Sequence, residues 1–258
     1  MDKIKLQVLF LTYGDKYKDS FDILNILLKD LEEHCDINTI VIDNKINHFS
    51  KNGQHIQIAG NNSEFEFSGW DNGIEFIKYY NNDYDICLFI NDSFLTNDYA
   101  QNKKLLSIET IKGCLHNNAL VGKCDRMDVR EQFRNNLYTI DGHDVKLWIR
   151  TNLFYMTKEM VNKLNSLVAY TIKDLDKFVS KEYHGRAFLY TANISENLKL
   201  QMFAWITKYW HSKIELSEKT WDTWRMKCST MINEKMLTVN IRNMGYNILD
   251  YSEFHYGK

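Results

Sequence analysis

Asp83-Tyr-Asp-Ile-Cys-Leu-Phe-Ile-Asn-Asp-Ser-Phe94 is the stretch on which the fold turns. Five apolar residues, Ile86 to Ile90, run without interruption and stop at Asn91-Asp92-Ser93. A short apolar run bounded by turn formers reads as a strand buried on both faces, as in parallel sheets covered by helices. Asp92 then stands in one of two roles. It is the first residue of a turn, a position Asx residues favour, or it is a carboxylate held at a strand end for chemistry. Taken alone, chain-reversal aspartates are the commoner case.

The same pattern repeats toward the N-terminus. Leu6 to Leu11 is an apolar run that breaks at Thr12-Tyr13-Gly14, and Phe21 to Leu31 places apolar residues at helical spacing. Ile37 to Ile42 predicts a second strand closed by Asp43-Asn44, and Ile56 to Ile58 a weaker third ending at Gly60-Asn61-Asn62. Trp70 to Tyr80 predicts a helix, with Asp71 as its cap and Ser68 completing a capping box. Trp70 reads as a packed aromatic. Gly69 and Gly73 suit either close backbone approach to a ligand or a flexible start to that helix. Strands alternating with helices predict an α/β fold, a mostly parallel sheet flanked by helices. In such sheets ligands bind beyond the carboxyl ends of the strands. The polar strand ends named above therefore converge on one edge.

The later part of the chain predicts a helix over Leu105–Leu115, a strand over Ala119–Gly122 and another over Val145–Met156. On that last strand Trp148 and Arg150 share one face. Thr157 to Leu164 reads as a helix capped by Thr157. Two further helical stretches, Glu196 to Trp210 and Trp221 to Asn243, make the C-terminal part helical. Trp205, Trp210, Trp221 and Trp224 fall at helical spacing and read as core or interface. His184-Gly185-Arg186 is a loop, either one that closes over a ligand or a plain connection. No linker or internal repeat divides the chain, so residues 1–258 are expected to form a single domain, with halves at about 1–95 and 96–258.

A chain of 258 residues with 44% hydrophobic content suffices for one substantial core. Thirty-two basic against 34 acidic residues give no electrostatic case for nucleic-acid binding. Five cysteines without metal-ligand spacing predict reduced thiols. No signal peptide is visible in the sequence, and no apolar run approaches the roughly 20 residues of a membrane span. A cytoplasmic protein is expected, with at most peripheral association at the inner face of the membrane. Walker, Gly-x-Gly-x-x-Gly, His-Glu-x-x-His and Gly-x-Ser-x-Gly motifs are all absent from the sequence. A diphosphate ligand would then be held through a divalent cation, which needs one or two protein carboxylates. Asp92 is placed for that, with Asn91 and Ser93 as neutral helpers. Asp43 is placed to accept hydrogen bonds from a base or ribose. Arg150 and Lys123 are candidate phosphate partners or ordinary surface charges.

Together these motifs resemble GT-A-fold glycosyltransferases, in particular bacterial enzymes of polysaccharide biosynthesis. Val8-Leu-Phe-Leu-Thr-Tyr-Gly14 is similar to the nucleotide-contacting opening of that fold, and Ile40-Val-Ile-Asp-Asn44 to its second strand. Gly60-Asn61 and Trp70-Asp-Asn-Gly-Ile74 resemble the positions before its central helix. Leu88-Phe-Ile-Asn-Asp-Ser93 stands at the Asp-x-Asp motif, with one carboxylate where the family has two. Leu147 to Lys158 resembles the segment lining the acceptor site, and Glu196 stands where the family often carries its catalytic base. The resemblance implies a GT-A-like (Rossmann-type) fold and a nucleotide-diphosphate sugar donor. It implies Mn or Mg at Asp92, and Thr12, Tyr13, Gly14, Asp43, Asn44, Gly60, Asn61, Asn91, Asp92 and Ser93 around the donor. It further implies Trp148 and Arg150 at a glycan or lipid-linked acceptor, and inverting transfer with Glu196 as base. The first half of the chain would then be the nucleotide-sugar half, and the second the acceptor half. Two other readings stay open: a nucleotidyltransferase on a related sheet, and a catalytically degenerate nucleotide- or sugar-binding module.

Overall fold

The computed structural model describes residues 2–14, 19–46, 50–52, 55–80, 82–95, 99–127, 136–210 and 212–255. The chain forms two units. The first comprises Met1–Cys124, Ile149–Leu167 and Ile241–Lys258, and the second Asp125–Trp148 and Val168–Asn240.

An eight-stranded sheet organises the first unit. Its strands are β1 (Ile4–Thr12), β2 (Cys35–Asp43), β3 (Ser50–Asn52), β4 (His55–Ala59), β5 (Ile86–Asn91), β6 (Ala119–Arg126), β9 (Leu147–Thr157) and β10 (Asn247–Asp250). A separate two-stranded sheet pairs β7 (Thr139–Ile140) with β8 (His143–Asp144). The order in the large sheet is β10-β6-β9-β5-β1-β2-β4-β3. β1 runs parallel to both β2 and β5, β2 to β4 and β10 to β6, while β9 and the edge strand β3 pair antiparallel with β5 and β4. The expected mostly parallel sheet is present.

Side chains alternate across a strand, so each apolar run serves two cores. Leu6, Val8 and Phe10 join Leu24, Leu27 and Leu28 of α1 (Ser20–Lys29) and Ile111 and Cys114 of α4 (Ile108–Asn117). Leu9 and Leu11 instead meet α2 (Glu66–Tyr79). A Cβ on Gly73 would stand 2.6 Å from Ile42 Cδ1, and one on Gly69 would stand 2.5 Å from Leu11 Cδ1. These two glycines therefore seat the helix on the sheet, and because α2 begins at Glu66 they lie inside the helix and not at its entry. Trp70 fills the gap between them as expected. It meets Phe67, Phe89 and Phe154 edge-on with centroids 6.1, 6.0 and 5.4 Å away.

Three local expectations change. α2 begins at Glu66, so Asp71 is interior and caps nothing. Its carboxylate accepts the Leu167 N–H at 2.7 Å and the Ser166 hydroxyl, tying α2 to the chain after α5 (Lys158–Lys163). Thr157 sits at the start of α5 without capping it, because its hydroxyl donates to Asn118 Oδ1 at 2.6 Å. The helix expected over Leu105–Leu115 is broken into α3 (Tyr99–Leu105) and α4. Ser107 parts them, its Oγ accepting the Thr110 N–H at 3.2 Å as a true N-cap.

The second unit contains α6 (Glu196–Ala204), which continues as a single π turn, Trp205–Tyr209, and the long α7 (Trp221–Asn243) up to Asn240. Met202, Ile206, Trp224, Cys228, Ile232 and Met236 are among its buried core residues. Trp221 stacks on Trp224 at 5.6 Å and Trp205 on Trp210 at 6.1 Å. The core assignment of these tryptophans holds for Trp221 and Trp224. Trp205 and Trp210 are half-buried, with the Lys227 ammonium 5.2 and 4.9 Å from their rings. All five cysteines are free thiols. Among the described residues no helix is long and apolar enough to cross a membrane.

Candidate functional site

The sheet order carries a topological switch. From β1 the chain passes through α1 to β2 and on to β4, then returns through α2 to β5 on the other side of β1. α1 and α2 lie on opposite faces for that reason. The crevice at a switch point, outside the carboxyl ends of the strands, is where open α/β sheets bind ligands. Here it lies between β1 and β5.

Thr12-Tyr13-Gly14 and Asp92 meet at that point. Asp92 is 1% exposed. Its Oδ2 accepts the Tyr13 N–H at 2.8 Å and the Thr12 hydroxyl at 3.2 Å, and Thr12 Oγ1 in turn accepts the Gly14 N–H at 3.2 Å. The carboxylate opens the 3-10 turn Asp92–Leu95 and also fastens β5 to the loop after β1. Asn91 and Ser93 face each other, Asn91 Oδ1 accepting the Ser93 N–H at 3.2 Å and its hydroxyl at 2.7 Å.

The neighbouring strands close the other side. Asn44 N–H donates to the Thr12 carbonyl at 3.0 Å and Gly60 N–H to the Asp43 carbonyl at 2.8 Å. Asp43 Oδ1 accepts the Lys45 N–H at 2.9 Å, and its Oδ2 accepts Gln57 Nε2 at 3.3 Å. Asn44 Nδ2 reaches Asn62 Oδ1 at 3.2 Å, and Asn61 Oδ1 accepts the Ser63 N–H of its own turn at 3.0 Å. Gly60 is required here, since a Cβ would fall 1.9 Å from Asn44 Oδ1. The ten residues expected around a donor thus share the carboxyl ends of four adjacent strands, β5, β1, β2 and β4.

Two polar atoms in this cradle are buried without a hydrogen-bond partner of good geometry among the described residues: the Tyr13 hydroxyl and Asn44 Oδ1. Burial, then the Glu66 and Asp92 charges, push the Tyr13 phenol well above its ordinary range, against the smaller opposing effect of a loose hydrogen bond between it and the Asn44 side chain. Tyr13 is therefore a neutral hydroxyl at physiological pH. A buried polar group left unsatisfied costs about 1–3 kcal/mol, a cost that a water, an ion or a ligand can relieve.

Lys45 joins the cradle without having been singled out in the sequence. Its exposed side chain runs beside Gly14, where φ is +85° and a Cβ would meet Lys45 Cδ, Cε and Nζ at 2.5–2.9 Å. Its signal is position alone, one residue past Asp43-Asn44.

The described residues do not build a cage for Mn or Mg. Asp92 is one carboxylate whose Oδ2 already takes two donors, and no group of three acidic, His or Cys side chains with metal-ligating placement occurs among the described residues.

Elsewhere in the first unit, Arg150 on β9 and Lys123 on β6 are half-buried. The remaining expected residues belong to the second unit. Glu196 opens α6 with its side chain 81% exposed and paired to Lys199 Nζ at 2.7 Å. Trp148 is buried, with Lys235 Nζ 3.5 Å above its ring, so the Lys235 ammonium occupies a face that a sugar would need. His184, Gly185 and Arg186 are exposed, and Arg186 lies 4.1 Å from the Tyr190 ring.

No protein-family model matches the chain, and no curated protein matches its sequence. Among solved structures it is similar to the mannosyltransferase PcManGT from Pyrobaculum calidifontis in complex with GDP-Man and Mn2+, at 10% identity and a TM-score of 0.38. The match covers 93% of this chain and 65% of that one, so this chain spans about two thirds of that structure's length.

Proposed function

We propose that this protein is a glycosyltransferase that moves a sugar from a nucleotide-diphosphate donor to a glycan or lipid-linked glycan. The observation that carries the reading is the junction of Thr12, Tyr13 and buried Asp92 at the switch point between β1 and β5. In this reading the Tyr13 hydroxyl and Asn44 Oδ1 supply one donor and one acceptor to the nucleoside. Lys45, a cation beside the Gly14 backbone, faces the diphosphate and stabilises the charge that develops as it leaves. Asp92 holds the loop that shapes the cradle. No step is routed through a metal.

Glu196, in the second unit, is the proposed general base. The acceptor hydroxyl gives its proton to the Glu196 carboxylate as its oxygen bonds to the anomeric carbon. The bond from that carbon to the diphosphate oxygen breaks, and the nucleoside diphosphate leaves with the electron pair. Attack opposite the leaving group inverts the anomeric centre. The proposed setting is the cytoplasm, with contact to the membrane only through a lipid-linked acceptor.

Calorimetric titration with uridine, guanosine and thymidine diphosphates tests the cradle. At least one is expected to bind in the micromolar to millimolar range, and Tyr13→Ala is expected to weaken it about tenfold or more. If none binds, with or without Mn2+, the donor site is not where this reading puts it. A second reading is favoured by the commitment of Asp92 to the framework: a nucleotide-binding module without transfer. Slow release of free sugar from a nucleotide sugar separates the two, because only a transferase leaks its donor to water.

A further inference from the structure

A groove of about 460 Å³ runs between the end of β4 and the carboxyl-terminal half of α2, bounded by Ile58, Ala59, Asn72, Glu75, Phe76 and two tyrosines. The depression is shallow and open to solvent. The tyrosines are Tyr79, 83% exposed, and Tyr80, 59% exposed. Phe76 and Tyr80 are four residues apart, so they share one side of the helix, and their rings stand 4.5 Å apart. Tyr79 meets Tyr80 edge-on at 5.0 Å. Single exposed aromatics are ordinary, but here Tyr80 joins Phe76 and Tyr79 into one cluster, with both tyrosines open to solvent.

The chemistry of the lining selects the occupant. Aromatic faces take the C–H faces of pyranose rings, while sugar hydroxyls require acceptors and donors at the rim. Glu75 supplies a carboxylate and Asn72 an amide, the latter reaching the Ala59 carbonyl at 3.4 Å. Among the lining residues the only charge is that of Glu75. A nucleic acid or a phosphate-rich surface calls for lysines and arginines instead. The groove also leads toward the cradle. Ala59 is followed directly by Gly60-Asn61, and Asn72 lies one turn of α2 from Gly69, which packs under Asn44.

We propose that this aromatic groove binds the uncharged glycan chain of the acceptor, as a stretch of sugar residues stacked on Tyr79 and Tyr80. The proposal rests on the reading of the protein as one that acts on a glycan. It deepens that reading by placing a polymer-binding subsite on the first unit, next to the donor cradle.

The test is equilibrium binding of the full chain, without nucleotide, to maltohexaose, cellohexaose, mannohexaose and N-acetylchitohexaose. At least one is expected to bind with a millimolar or tighter Kd. The double substitution Tyr79→Ala with Tyr80→Ala is expected to weaken it at least tenfold, Tyr79→Phe to keep it, and Glu75→Lys to weaken it with the rings intact. Nucleoside diphosphate affinity is expected to stay unchanged in all three. If the double variant melts early, Glu75→Lys and Tyr79→Phe still decide the matter. Failure to bind any of the four glycans overturns the groove, as does binding that ignores all three variants. So does self-association of the chain that the double variant abolishes, which would assign the face to a second copy. Nucleotide binding without glycan binding sinks the groove alone, whereas absence of both sinks the function as well.

Discussion

Asp92 and Lys235 are each 1% exposed and each charged in water, and the molecule treats them in opposite ways. Around Asp92 the first unit places an amide N–H and a hydroxyl, so the negative charge is answered by hydrogen bonds. Around Lys235 the second unit places a tryptophan face, 3.5 Å from its ammonium. A carboxylate held this way is a structural tie whose removal orphans its donors. An ammonium over a ring is attracted to it, but by less than burial costs it. Burial pulls Lys235 down to about 8, against the smaller opposing effects of Glu234 and Asp125.

Substitutions break the comparison in a definite order. Asp92→Ala is expected to cost about 3 kcal/mol in chemical denaturation, because the Tyr13 N–H and Thr12 hydroxyl lose a buried acceptor. It is also expected to abolish nucleoside diphosphate binding. A loss under about 1 kcal/mol would show that Asp92 does not hold the loop.

The pH dependence comes next. Below about 8 Lys235 is protonated in both folded and unfolded chains. Between about 8 and the ordinary lysine value of 10.5 the unfolded chain keeps a proton that the folded chain has released. Stability attributable to Lys235 therefore rises across that window, by up to about 3 kcal/mol. The measurement is the difference between wild type and Lys235→Met at each pH, which cancels the tyrosines and cysteines titrating nearby. A flat difference from pH 7 to 10 would mean that Lys235 reaches water. At pH 7 Lys235→Met itself is expected to stabilise by about 1 kcal/mol, since a well-packed apolar replacement removes a buried charge.

The smallest expected change in stability belongs to Glu196→Gln. An exposed acid paired with Lys199 should shift unfolding by no more than about 0.5 kcal/mol while turnover collapses. Near-normal turnover would send the search for a base elsewhere.

The strands were legible because runs such as Ile86–Ile90 are apolar on both faces, and few other structures accommodate that. The start of α2 was not. Ser68 and Asp71 carry the chemistry of a cap, yet Leu167 and Ser166, nearly a hundred residues later, claim the Asp71 carboxylate. Trp148 showed its place on a strand face but not the lysine above it. In a chain with so many charged residues nothing in the pattern of α7 marks Lys235 as buried, since a helix enclosed on all sides shows no polar stripe.

The sequence by itself determined the main alternation of strands and helices, the polar strand ends and the burial of Trp70, but not the short strands β3, β7, β8 and β10 or the break between α3 and α4. The features it determined follow from local periodicity and from chain-reversal residues, which act within a few positions. The tertiary structure alone decided that Asp92 faces Thr12 and Tyr13, eighty residues away, and that Lys45 lies against Gly14. It also decided that Lys235 lies under Trp148. The partner of a buried charge is set by which elements the sheet and helices bring side by side, and periodicity within one element carries no record of its neighbour.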